Sequence, residues 1–377
     1  MICRTYKDST DQVSLLGFGC MRLPKIDPEK SDIDIPQAQA MIDYAYAHGV
    51  NYFDTAYPYH EGKSELFIGE ALKKYPRESY HLVSKLPVWL INEPADTTKY
   101  FEEQLKKCQT EYFDYYLCHA LNRDRLHIIQ KNHIFETMTK EKEAGRIRHL
   151  GFSFHGTLDM LEEILDAYSW DFVQIQLNYY DWETQKAKEE YEMITARGLQ
   201  VIVMEPVRGG ALHTLCPEAI DIFKKADASV SPASWALRYA ASNPAVLTVL
   251  SGMSTMEQVK DNIHTMENFK PLSAEEYAVI DKAVEAYRRS KTIPCTGCRY
   301  CMDCPAGVDI PAVFKIYNHY ATTENKAQFI EEYEALGEDK HASHCVACGQ
   351  CMTQCPQSIQ IPDKMQEVTA LYEKLKG

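Results

Sequence analysis

Residues 51–86 read NYFDTAYPYHEGKSELFIGEALKKYPRESYHLVSKL, and their pattern changes period twice. The opening run, 51–56, is short, apolar and aromatic, as a buried strand requires. The stretch 64–74 is longer and amphipathic, as a helix packed on one face requires. The closing run, 81–86, is again short and apolar up to its last polar pair, Ser84 and Lys85. This is a strand, a helix and a second strand with short connections.

The same alternation extends in both directions. Strand-like runs fall at 13–20, 51–56, 81–86, 114–119, 147–153, 172–178, 200–206 and 246–253. Amphipathic stretches lie between them at 37–47, 64–74, 98–108, 136–144, 158–167, 186–196 and 234–241. Eight strands alternating with helices predict an α/β fold of the (β/α)8 TIM-barrel class. An open doubly wound sheet is the alternative. It is disfavoured because no G-x-G-x-x-G follows the first strand and because reactive residues come from several different strands.

Composition changes after Arg289. The segment 290–294 reads as a linker, and a cysteine-rich, helical region follows. The expected organisation is therefore a barrel over 1–289 and a small, mostly helical module over 290–377. The chain has 377 residues and a formal net charge of -14, with no block of Lys and Arg to attract a polyanion, so nucleic acid is not an expected partner. No run approaches the roughly 18 apolar residues of a membrane helix. The start of the sequence lacks the apolar core of a secretory signal. A cytoplasmic location is expected.

The polar residues at the C-terminal ends of the strands carry the chemistry, because that edge holds the active site of such barrels. Strand two ends in Asp54-Thr55-Ala56-Tyr57-Pro58-Tyr59, strand three in Ser84-Lys85-Leu86 and strand four in Cys118-His119-Ala120. Hydride addition to a carbonyl builds negative charge on oxygen, which a nearby acid must quench. A tyrosine can supply that proton if a cation such as Lys85 stabilises the phenolate left behind. Asp54 would hold the lysine by a charge-assisted hydrogen bond, and His119 would orient the carbonyl.

These segments resemble the catalytic tetrad of the aldo-keto reductases. The D-T-A-x-x-Y run supplies Asp54 and Tyr59, and the lysine after strand three and the histidine after strand four supply Lys85 and His119. The resemblance covers about residues 10–287. It implies a nicotinamide-dependent oxidoreductase acting on a small carbonyl or alcohol, with Tyr59 as general acid. It further implies cofactor contacts from Ser153 and Gln176 to the carboxamide, Met204 in place of a stacking tyrosine, the run Met204-Glu205-Pro206 on the phosphate side, and Gly252, Gln258 and Asn262 after strand eight. Many members place a lysine and an arginine after strand eight to hold the 2′-phosphate of NADPH. Gly252 and Gln258 are uncharged, so NAD and NADP both remain open. The loops around 24–36 and 122–134 are expected to shape the substrate pocket.

Eight of the 13 cysteines fall in two runs. The first is Cys295-x2-Cys298-x2-Cys301-x2-Cys304-Pro305, and the second is Cys345-x2-Cys348-x2-Cys351-x3-Cys355-Pro356. The second has the spacing of a bacterial ferredoxin motif, in which the fourth cysteine serves the other cluster. Two [4Fe-4S] clusters are therefore expected, one on Cys295, Cys298, Cys301 and Cys355, the other on Cys345, Cys348, Cys351 and Cys304. Paired zinc sites are the alternative, but zinc favours two cysteine pairs with a longer gap. The intervening 40 or so residues look helical, so the module resembles helical two-cluster ferredoxin domains. An alternative function is electron transfer, with the clusters serving a barrel-bound flavin or a partner redox protein. Hydride carries two electrons and a cubane cluster carries one, so that route needs a mediator such as a flavin, for which the sequence has no fingerprint.

Overall fold

The computed structural model describes residues 1–7, 9–27, 30, 32–302 and 304–377. Residues 28, 29 and 31 of the expected pocket loop at 24–36 lie outside the described residues. Among the described residues there are ten strands: β1 (Cys3–Thr5), β2 (Gln12–Ser14), β3 (Leu16–Gly19), β4 (Tyr52–Asp54), β5 (His81–Leu86), β6 (Phe113–Leu121), β7 (Ile147–Phe154), β8 (Phe172–Gln176), β9 (Gln200–Met204) and β10 (Val246–Gly252). Strands β3 to β10 form a closed parallel barrel, sealed where β10 pairs with β3 so that Val249 faces Leu16 and Gly252 faces Gly19.

The first expected strand, 13–20, is two strands. β2 pairs antiparallel with β1, and the barrel begins only at Leu16. This hairpin caps the N-terminal end of the barrel, where Tyr6 and Val13 join Tyr52, Tyr115, Phe172 and Leu247 in one buried cluster. Burying each such side chain stabilises the fold by roughly 1.5–3 kcal/mol. The apolar run was legible, but its break at Leu15 follows from tertiary packing.

Helices follow the strands in order: α1 (Ile35–Ala47), α2 (Lys63–Leu72), α3 (Pro94–Lys107), α4 (Arg123–Lys131), α5 (Ile134–Glu143), α6 (Leu158–Ala167), α7 (Asp181–Thr184), α8 (Ala187–Ala196), α9 (Pro217–Ala226), α10 (Pro232–Ala241), α11 (Met256–Glu267) and α12 (Ala274–Arg288). Their starts carry ordinary capping chemistry. Asp34 accepts from the Gln37 N–H at the head of α1, and a reciprocal Ser273–Glu276 capping box opens α12. The segment expected as a loop at 122–134 is mostly helix α4, started by the Asn122 side chain on the Arg125 N–H. None of the helices among the described residues is long and apolar enough to cross a membrane.

The chain divides into two compact units, one of Met1–Pro206 with Ala236–Leu272, the other of Val207–Trp235 with Ser273–Gly377. The first unit holds the closed barrel. In the second, α9 and α12 accompany α13 (Ile310–Thr323), α14 (Lys326–Ala335), α15 (Gln350–Gln354) and α16 (Ile361–Lys376). A buried core of Val308, Val313, Phe314, Phe329, Ile361 and Val368 supports the cysteine loops, with Cys295, Cys301, Cys304, Cys345, Cys351 and Cys355 packed against it.

That module is an internal repeat deeper than its cysteines. Cys304-Pro305 is followed six residues after the cysteine by Ile310-Pro311, and Cys355-Pro356 by Ile361-Pro362. Gly307 and Ser358, three residues after each of these cysteines, both have positive φ (78° and 50°). The Gly307 N–H donates to the Cys304 carbonyl at 3.0 Å and the Ser358 N–H to the Cys355 carbonyl at 3.1 Å. Each half thus turns the same way after its last cysteine and starts a helix at the same offset.

Candidate active site and cluster ligands

Strands β4, β5 and β6 bring Asp54, Lys85 and His119 to the C-terminal edge of the barrel, and all three are buried. Lys85 Nζ donates to Asp54 Oδ1 at 2.6 Å and to the Thr55 carbonyl at 2.8 Å. The ammonium lies 5.0 Å from the centre of the Tyr59 ring. The Tyr59 and His119 rings meet edge to face with centroids 6.1 Å apart. The four residues singled out from the strand ends are therefore contiguous. Tyr57 points elsewhere, its hydroxyl donating to Glu103 at 3.2 Å.

The electrostatics separate the members. Burial raises the Asp54 carboxyl, against the downward pull of the Lys85 ammonium. Burial, together with Lys85, Arg125 and His155, holds the His119 imidazole well below its usual range. His119 is therefore neutral at neutral pH and keeps an N–H to donate. Behind Lys85 lies a buried polar network. Gln104 Nε2 donates to the Lys85 carbonyl at 3.0 Å, to Ser84 Oγ at 2.9 Å and to Glu65 Oε1 at 2.5 Å, while the Tyr116 hydroxyl donates to Gln104 Oε1 at 2.5 Å. It fixes the strand that carries Lys85 without touching the reacting edge.

The expected cofactor residues ring the same edge. Ser153, the penultimate residue of β7, accepts at its Oγ from the Ala120 N–H at 2.7 Å, next to His119. Gly151 is required two residues earlier, because a Cβ there would stand 2.5 Å from the Phe172 carbonyl. Gln176 Nε2 donates to Asp181 Oδ2 at 2.6 Å. Met204 ends β9 opposite Gln176, and Pro206 is buried just beyond it. Glu205 pairs with Arg22 at 3.4 Å, and a side chain at Gly252 would press on that same arginine at 3.1–3.3 Å. Gln258 Oε1 accepts from the Ser254 N–H at 2.8 Å, and Asn262 Nδ2 donates to Ser251 Oγ at 2.9 Å. Two buried oxygens, Asp54 Oδ2 and Gln174 Oε1, have no hydrogen-bond partner among the described residues. Orphaned acceptors at this edge fit a polar ligand such as a ribose or a carboxamide.

Sequence reasoning missed Arg22, Gln174, Trp89, Arg125 and His155. Each follows a strand end or lies within a strand, and only the closed barrel shows that they share the site edge.

The cysteines converge crosswise. A pocket in the second unit is lined by Cys295, Cys298, Cys301 and Cys355 together with Phe314. Burial and the neighbouring Cys298 and Cys355 raise the Cys295 thiol to about 11, eased by the Gly297 N–H, which donates to its sulfur at 3.4 Å. Cys351 is raised by burial and by Cys345, Cys348 and Cys304. Gly297 and Arg299 in the first loop and Ala347 and Gly349 in the second all have positive φ (66°, 65°, 54° and 76°) at matching offsets. Such left-handed turns aim backbone N–H groups at a concave anion site. Thiol-rich concavities with inward N–H groups fit iron–sulfur clusters. Among the described residues no three metal-ligating side chains gather tightly enough to share a single ion. Arg208 is 1% exposed and its charge acts on Cys295, and a side chain at Gly209 would stand 2.0 Å from the Thr296 carbonyl.

A reductase-type barrel edge and a cysteine-rich helical module define an oxidoreductase with an iron–sulfur domain. The family model described as "Aldo/keto reductase family" matches residues 15–285, and the one described as "4Fe-4S dicluster domain" matches residues 294–360. The chain belongs to the aldo/keto reductase family and carries a 4Fe-4S dicluster domain at its C-terminal end. It is 27% identical over 288 residues to the L-galactose dehydrogenase of Arabidopsis thaliana, covering 70% of this chain and 88% of that one. It is 25% identical over 256 residues to the versiconal hemiacetal acetate reductase of Aspergillus parasiticus, covering 59% of this chain and 72% of the other. Among solved structures, the aldo-keto reductase AKR11C1 of Bacillus halodurans (holo form) superposes with a TM-score of 0.62 at 28% identity, covering 75% of this chain and 96% of that one.

Proposed function

We propose that the protein is a nicotinamide-dependent reductase of small carbonyl compounds, with a barrel over 1–289 and two [4Fe-4S] clusters held by the module over 290–377. The buried Lys85–Asp54 pair beneath Tyr59, beside a neutral His119, carries this reading. The nicotinamide supplies a hydride when bound, cradled by Ser153, Gln176, Met204, Glu205, Pro206, Gly252, Gln258 and Asn262.

The chain's own residues manage the charge. Tyr59 gives its hydroxyl proton to the developing alkoxide. Lys85, held by Asp54 and the Thr55 carbonyl, stabilises the phenolate that remains. His119 donates an N–H to the carbonyl oxygen and fixes its direction, which a protonated, mobile side chain would do less well. Cys295, Cys298, Cys301 and Cys355 would ligate one cluster, and Cys345, Cys348, Cys351 and Cys304 the other. The 13 cysteines form no disulfide, which suits the reducing cytoplasm.

The test is kinetic. Anaerobically purified protein is given an aldehyde with NADH or NADPH, beside a Tyr59→Phe variant. Turnover is expected to fall by about 100- to 10,000-fold in the variant while the nucleotide still binds. Equal turnover would remove Tyr59 from the chemistry. The two nucleotides should serve within a small factor of each other, because Gly252 and Gln258 offer no cation to a 2′-phosphate. Exclusive use of NADPH would contradict that part.

A further inference from the structure

Beyond β8 the chain folds back on the residue that ends that strand. Gln176 shares the inward face of β8 with Phe172 and Gln174, and Phe172 belongs to the buried cluster inside the barrel. Asp181 opens the one-turn helix α7 and is fully buried. Its Oδ2 accepts from Gln176 Nε2 at 2.6 Å and from Asn178 Nδ2 at 2.7 Å. Asn178 is itself fixed. Its Oδ1 accepts from the N–H groups of Tyr180 at 3.0 Å and Asp181 at 2.8 Å, and its Nδ2 also donates to the Glu205 carbonyl at 3.0 Å.

This arrangement has a polarity. A side-chain amide has a donor end and an acceptor end, whereas a carboxylate only accepts. Asp181 therefore holds Gln176 by its NH2 and leaves Oε1 as the opposite end of the amide. Ser153, on the neighbouring strand β7, has the complementary character. Its Oγ accepts from the Ala120 N–H at 2.7 Å, and its hydroxyl keeps a proton to donate. A donor from β7 and an acceptor from β8 match the carbonyl and amino ends of one carboxamide. Without Asp181, Gln176 could turn over and set its NH2 against the amino group of that ligand.

We infer that Asp181 is a positioning residue for the nicotinamide: by holding the NH2 of Gln176 it presents Gln176 Oε1 to the carboxamide's amino group, so that the site recognises the amide and not any acyl pyridine. This deepens the proposed cofactor site and rests on that reading for the identity of the ligand. It does not require Gln176 Oε1 to lack other partners, since a carbonyl oxygen has two lone pairs. Through Asn178 the same carboxylate steadies the Glu205 carbonyl, on the phosphate side of the expected nucleotide.

A ratio of affinities tests the inference. Calorimetry compares NAD+ and NADP+ each with its 3-acetylpyridine analogue, in which a methyl group replaces the amino group of the carboxamide and the carbonyl is kept. The wild type is expected to bind the carboxamide form more tightly by roughly tenfold or more, because the analogue leaves a buried acceptor facing a methyl group. Asp181→Ser should reduce that ratio to about two- to threefold, since a hydroxyl donates as readily as it accepts and no longer dictates which way Gln176 turns. Adding Gln176→Glu to Asp181→Ser should restore the preference, because a carboxylate offers an acceptor whichever way it turns. A purely structural Asp181 would weaken both nucleotides alike and would not be repaired at position 176. Asp181→Ala, whose vacated space admits water, takes the place of Asp181→Ser if that variant does not fold, with the same expected ratio. Equal binding of the two forms by the wild type, or a ratio left intact when Asp181 is replaced, would overturn the inference.

Because the readout is binding, it separates this inference from the reductase reading. If the ratio responds as expected but no aldehyde is reduced, the role of Asp181 stands and the reductase reading falls. If aldehydes are reduced while the ratio ignores Asp181, the inference falls alone.

Discussion

Lys85 is the residue on which the site turns. It is completely buried, and a buried ammonium is tolerated only with a close counter-charge and satisfied protons. Asp54 and the Thr55 carbonyl each accept a hydrogen bond from its ammonium. Asp54→Asn should therefore destabilise the barrel by about 3–5 kcal/mol, because it leaves the lysine's charge without its partner. The double variant Asp54→Leu with Lys85→Met should recover much of that stability and none of the activity, since its apolar pair packs but cannot support a phenolate. Thermal midpoints and turnover of the two variants check this. A double variant no more stable than Asp54→Asn would contradict the account of the pair. Asp54, Tyr59, Lys85 and His119 were legible because each lies at or just past the end of a strand whose period was clear. Arg125 and Trp89 were not, because Trp89 reaches the His119 ring, and Arg125 the Trp89 ring, from two different connections. No spacing along the chain encodes such a contact.

At the scale of elements, the sequence located strands better than it bounded them. β5 and α6 occur as read, since each is a clean periodic run. The first strand is divided because Val13 and Leu16 serve different sheets, and helix α4 was hidden by its charge-rich face. Helix α8 carries a consequence that periodicity cannot show. Its Glu190 is 8% exposed, and burial, with Glu189 and Asp181 nearby, raises its carboxyl to about 8. The folded chain then holds a proton that the unfolded chain releases near its ordinary value of 4.5, so stability drains as pH rises from that value toward about 8. Glu190→Gln carries no such burden. Its thermal midpoint should match that of the wild type near pH 4 and exceed it near pH 8.5, by a margin that grows as the pH rises between them. A difference independent of pH would show that Glu190 is already ionised in the folded state.

Across the whole molecule, the change in composition after Arg289 was visible in the sequence, and the spacing of the two cysteine runs suggested the crosswise grouping proposed for the cluster ligands. The deeper repeat, with its matched left-handed turns at Gly307 and Ser358, was present in the sequence but carried by too few shared letters to see. The module is expected to bind about eight iron and eight acid-labile sulfide per chain after anaerobic purification, as two cubane clusters require. Four iron would leave one cysteine group without a cluster, and stoichiometric zinc would replace the reading of both. The barrel's claim is separate, that the chemistry is direct hydride transfer rather than electron passage through the clusters. The most direct measurement follows deuterium from C4-deuterated NADH or NADPH into the alcohol product in ordinary water. Direct transfer predicts one deuterium retained on the carbinol carbon. An alcohol carrying only solvent hydrogen there would show that the electrons pass through an exchanging carrier, and would contradict the account.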